Sequence, residues 1–139
     1  MANHNPIGDS RTVAAEPFSI DRKHLGKALQ VSTELSLTPG WEVLQVNHQA
    51  YVAGEDRNPR PLEPMDKLQV GMIGASDGKR LAVNVSVAAA RQSDDALEEP
   101  EIVLTLALYA DGELLETFTK KRNRLPASFY AELDIAVRQ

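Results

Sequence analysis

No cysteine occurs among the 139 residues, which removes disulfides, thiolate zinc sites and thiol nucleophiles together. Long apolar runs are missing as well, because charged or strongly polar residues interrupt every stretch before the ~18 residues a membrane helix needs. Aromatic residues make up only 5% of the chain and are scattered, so a stacking platform for single-stranded nucleic acid or for sugar has little to be built from. Positive charge is in deficit: 15 Lys and Arg stand against 20 Asp and Glu, for a net charge of −5. Nucleic acids and anionic membranes reward the opposite sign, so neither is an expected partner. The first residues lack a basic segment followed by an apolar block, so no signal peptide is visible. With the absence of cysteine, this points to a cytoplasmic or virion-associated location.

What is present is an ordinary globular composition, 42% hydrophobic and 25% charged, at a length that suits one domain with one core. Residues 1–17 are polar, hold two prolines and show no periodicity. They read as a flexible or docking N-terminal arm to a single domain over 18–139. Asp21 to Gln30 is compatible with a short helix weakened by Gly26. Leu29, Val31, Thr33, Leu35 and Leu37 then share one parity against Gln30, Ser32, Glu34 and Ser36, the period of a half-buried strand. Thr38-Pro39-Gly40-Trp41 has the chemistry of a type II turn. That turn splays a tight hairpin, so the chain is expected to arch towards a second sheet. Trp41 to Val52 reads as a strand that is apolar in both parities around Val43 and Leu44, which signals a bulge.

Two Asp-Gly dipeptides mark type I′ hairpin tips. Around Asp77-Gly78 the predicted register sets Leu68 against Val87, Val70 against Val85 and Met72 against Val83, with the apolar side chains sorted onto one face. Around Asp111-Gly112 it sets Tyr109 against Leu114, Leu108 against Leu115, Leu106 against Thr117 and Leu104 against Thr119. A last strand alternates Ala131, Leu133, Ile135 and Val137 after Pro126. About seven strands at this spacing predict an all-β antiparallel sandwich, Ig-like or jelly-roll-like. Gly54 to Pro64 reads as a proline-punctuated crossover. Gly71 and Gly74, inside an otherwise regular strand, suggest a bulge or a close backbone approach.

The residues that carry charge or chemistry fall into small groups. His4, His24 and His48 form no ligand spacing, and each reads as a surface or structural residue. Asp94, Asp95, Glu98, Glu99 and Glu101 crowd one loop. Their spacing is not that of an EF-hand, and a solvated acidic loop is the plain reading. Lys120, Lys121, Arg122 and Arg124 close a strand with positive charge, which suits edge protection or an acidic partner surface. No catalytic residue, cofactor or metal site emerges, and the chain reads as a non-enzyme. The function this supports is a noncatalytic structural or interaction module: a subunit of a virion, tail or other multi-protein assembly, docked through its N-terminal arm. Its partners would be proteins, copies of itself included, with the basic run of one copy meeting the acidic loop of the next. The alternative is a ligand-binding β-sandwich that takes carbohydrate or Ca²⁺.

Overall fold

A computed structural model describes residues 6–8, 15–53, 63–92 and 100–138. Two sheets pack face to face over one apolar core. The larger sheet runs β1 (Ile7–Gly8), β9 (Ala127–Val137), β6 (Arg80–Arg91) and β4 (Trp41–Val52), and β2 (Glu16–Ile20) also lies on β9. The smaller runs β5 (Leu68–Met72), β3 (Ala28–Leu37), β7 (Ile102–Ala110) and β8 (Glu113–Arg122). This is an all-β sandwich, as the strand periodicities require. Val31, Leu104, Leu106 and Leu108 of the smaller sheet face Val83, Val85, Phe129 and Leu133 of the larger, all at 2% exposure or less.

The turn at Thr38–Gly40 does what its chemistry predicts. Gly40 sits at φ 93°, and the chain passes from β3 in one sheet to β4 in the other. The predicted bulge is also there, as a register shift between Val43 and Gln45 in the β4–β6 pairing. Between Asp21 and Gln30, by contrast, only Arg22–His24 form a short 3-10 turn. It is capped by the Lys23 N–H donating to Asp21 Oδ1 at 3.0 Å, and β3 begins at Ala28.

The hairpin predicted at Asp77-Gly78 does not form. β5 pairs with β3, while β6 pairs with β4 and β9, so Met72 and Val83 lie in different sheets. A single helical turn, α1 (Ile73–Ser76), carries the chain across, and the buried Ile73 anchors it in the core. Asp77 has φ −58° and ψ 127°, Gly78 has φ 80°, and the Lys79 N–H donates to Ser76 O at 2.9 Å. That is a type II turn, which needs left-handed backbone at one central residue where type I′ needs it at both. Alternation placed one face of each strand against the core, and the two strands meet it from opposite sides; in β6 the whole apolar row is buried, whereas in β5 only Val70 is, and Met72, assigned to the same face, is 43% exposed. Gly74 is there because the backbone comes close: its N–H donates to Leu25 O at 3.1 Å, and a Cβ would stand 3.2 Å from the same oxygen. Gly71 stands beside the register shift between Leu29 and Gln30.

The second Asp-Gly tip is a hairpin, with Asp111 at φ 45° and Gly112 at φ 85°. Tyr109 faces Leu114 as predicted. Beyond them the register shifts by one, so Leu108 faces Glu116, Leu106 faces Phe118 and Leu104 faces Lys120. The shift corrects the predicted pairing for a reason of packing. It turns Phe118 inwards, where it is buried edge-on against Phe18 with ring centroids 6.4 Å apart. Parts of the segment expected as an arm are strands: Ile7 and Gly8 pair antiparallel with Ala131 and Tyr130, and Glu16 to Ile20 pair parallel with Leu133 to Val137. Ile7 and Phe18 are core residues.

Candidate functional site: one end of the sandwich

The β3–β4 turn, the end of β6, the start of β7 and the end of β8 come together at one end of the molecule. Thr38 ties two of them, its N–H donating to Glu101 O at 3.1 Å and its Oγ1 accepting the Glu101 N–H at 2.8 Å. The Gln92 N–H donates to Gly40 O at 2.8 Å and joins a third. β8 ends here because Ile102 and Arg122 are cross-strand partners.

The predicted basic cluster lies at this end but is not a single patch. A strand sends successive side chains to opposite faces, so Lys121 points outwards while Lys120 and Arg122 take the core side of the edge strand. Lys121 Nζ is 3.5 Å from Glu101 Oε2. The Arg122 guanidinium lies over the Phe129 ring, 5.5 Å from its centroid, a cation–π contact. Arg124 is exposed in the following turn and, with Arg122, Asn123 and Ser128, lines a cavity of about 420 Å³. Asp94, Asp95, Glu98 and Glu99 lie outside the described residues. Their neighbour Glu101 is described, and its ion pair places the opposite charges side by side within one chain.

The bulge in β4 adds an apolar element to the same end. Where two residues of β4 oppose one of β6, Val43 and Leu44 are exposed, at 47% and 64%, beside the half-buried Trp41. Single exposed apolar side chains are common; here two in sequence form a small apolar patch at an irregular strand edge. Glu42 and Arg91 flank the pair.

The two described histidines are both buried, each in a different setting. His48 is 1% exposed between the sheets, and its Nδ1 is 2.8 Å from Thr33 Oγ1. That hydroxyl also accepts the Met65 N–H at 3.2 Å. Burial holds the imidazole pKa below its ordinary value, because the charged ring would lose its hydration. His24 is 3% exposed, its Nε2 3.2 Å from Glu113 Oε2, in the wall of a cleft of about 300 Å³ lined also by Asp21, Lys23, Glu116 and Arg138. Ser19 lines this cleft without a hydrogen bond to His24, so no base and nucleophile are paired there. Its bases and carboxylates came together by tertiary folding, with no spacing along the chain to announce them. Among the described residues no group of three or more His, Asp or Glu stands close enough to hold a metal ion, and no helix is long and apolar enough to cross a membrane.

Compared with protein-family models, curated proteins and solved structures, the chain matches none.

Proposed function

We propose that the chain is a noncatalytic interaction module that joins copies of itself into a multi-protein assembly through the end of the sandwich just described. The observation that carries this reading is the exposed Val43–Leu44 pair at the β4 bulge, surrounded by charge of both signs. An apolar centre with a polar rim is the usual anatomy of a protein interface. The occupant is a second copy because the surface is self-complementary: Glu101 and Lys121 are adjacent, and a two-fold axis at this end sets each against the other's partner. Adjacent opposite charges favour such an isologous contact over a head-to-tail one, which would need them on separate faces. The contact does not draw on Ile7 or Phe18, which are buried in the chain's own core.

Light scattering on the full chain over a range of concentrations tests this. The expected result is a dimer or larger species that Leu44→Asp returns to monomer with the thermal transition unchanged. Lys121→Glu should weaken association in low salt and less in high salt, since exposed ion pairs are screened. A chain that stays monomeric at millimolar concentration overturns the reading.

A further inference from the structure

Thr33 Oγ1 joins parts of the chain that are far apart in sequence. It accepts the Met65 N–H at 3.2 Å and stands 2.8 Å from His48 Nδ1. The hydroxyl keeps its own proton to give, so Thr33 donates to His48 and the imidazole receives that proton at an unprotonated Nδ1. The neutral ring therefore carries its hydrogen on Nε2. β3, β4 and the segment leading into β5 meet at this group, and the Thr33–His48 bond bridges the two sheets.

The segment 63–67 has a light hold on this junction. Besides the bond into Thr33 Oγ1, the Thr33 N–H donates to Met65 O at 2.8 Å and the Lys67 N–H donates to Ser32 Oγ at 2.7 Å. These bonds all go to Ser32 and Thr33. Met65, 5% exposed, is the buried residue of the segment, and its neighbours are exposed. β3 and β7, by contrast, pair continuously from Leu29 to Leu37. Local opening costs least where few bonds and little apolar area hold a segment, so 63–67 can leave β3 while both sheets stay paired.

Protonation of His48 reverses the bond on which the junction turns. An Nδ1–H aimed at Thr33 Oγ1 meets an oxygen that already accepts the Met65 amide, and the hydroxyl proton it displaces has no other acceptor among the described residues. A buried donor without an acceptor is costly, and a buried charge more so. The described charged residues of the surrounding elements are Glu34 on β3, Glu42 on β4, Glu63, Asp66 and Lys67 around Met65, and Arg80 and Arg91 at the ends of β6. All are exposed, and β7 has none. Burial accordingly holds the imidazole below its ordinary pKa. Opening of the segment relieves both costs, since water reaches the ring and the hydroxyl together. We infer that Thr33, His48 and Met65 form an acid-sensitive latch: protonation of His48 releases residues 63–67 from β3 and uncovers Met65, with the two sheets intact. The latch does not rest on self-association.

Amide hydrogen exchange on the full chain, followed by NMR and expressed as protection relative to the unprotected rate at each pH, tests it. The open form takes up its proton near the ordinary histidine value of 6.5 and the closed form refuses it, so opening is favoured as pH falls below that value. Between pH 7 and 5 the protection of the Met65 amide should fall about fivefold or more. That of Leu106 and Val85, inside the two sheets, should change by less than about twofold. In His48→Gln the Met65 amide should lose no protection over this range. The comparison within the parent needs no variant, so it stands even if His48→Gln fails to fold, and imidazole nitrogen shifts of the parent should show the Nε2–H tautomer at pH 7. The inference is overturned if Met65 protection is flat from pH 7 to 5, if the sheet amides lose protection in step with it, if the loss persists in a folded His48→Gln, or if the ring is the Nδ1–H tautomer.

Discussion

His48 is held neutral by its surroundings, and the consequence is a measurable dependence of stability on pH. Its folded pKa lies below the ordinary value of 6.5, so below about pH 6.5 the unfolded chain takes up a proton that the folded chain refuses. Stability from this residue is thus fully present above the unfolded pKa and is lost as pH falls through the folded one. His48→Gln removes the titration while keeping a polar group near Thr33 Oγ1. The expected outcome is a variant less stable than the parent at pH 8 but with a shallower loss between pH 7 and 5, read from urea midpoints at each pH. Equal slopes for the two proteins would show that His48 is not protected from charging. The same side chain shows what residue-scale reading captures. A lone histidine on a strand with no ligand spacing reads as a surface or structural residue, and of these two settings the structure gives burial, opposite Thr33.

At the scale of elements, the shift in the β7–β8 register has a direct energetic consequence, because it decides which face of β8 meets the core. Phe118 is buried and Leu114 is 55% exposed. Phe118→Ala should therefore cost about 3 kcal/mol, and Leu114→Ala no more than about 0.5 kcal/mol, in equilibrium denaturation. The unshifted hairpin would leave Phe118 on the outer face and make its loss mild. β3, β9 and the turn at Thr38–Gly40 were legible in the sequence because each is specified by its own residues, through alternation or through the Pro-Gly pair. The pairing of β5 was not, since alternation states which side of a strand is buried and is silent on which strand lies beside it. The exposed bulge at Val43–Leu44 did leave a signal, an apolar run in both parities. Period-two geometry also accounts for the splitting of Lys120, Lys121 and Arg122 between two faces. The cleft around His24 left no signal, because its residues come from three separate parts of the chain.

For the molecule as a whole, the N-terminal strands are structural parts of the sandwich. Ile7, Phe18 and Ile20 are 5% exposed or less, and they cover the end of the core next to Phe118. Ile7→Asp, which introduces a charge with no described partner into that site, should lower stability by about 3 kcal/mol or more. The loss should appear as an early thermal transition by circular dichroism, with no need to invoke loss of a partner. A transition within a degree or two of the parent's would mean that β1 is only loosely attached to β9.

β9 carries a consequence for the order of assembly. It bonds to β6 along one edge and to β1 and β2 along the other, and Ile20 is the partner of Val137. During synthesis on the ribosome, β1 and β2 emerge first, yet the strand they pair with comes after all the others. The larger sheet therefore exists only as separate pieces until residue 137 has left the exit tunnel, and its earliest strands wait with apolar faces uncovered. Contacts this distant along the chain make for slow folding. A translation pause just before β9 would prolong that exposure, and chaperone capture of nascent chains should be greatest until β9 appears.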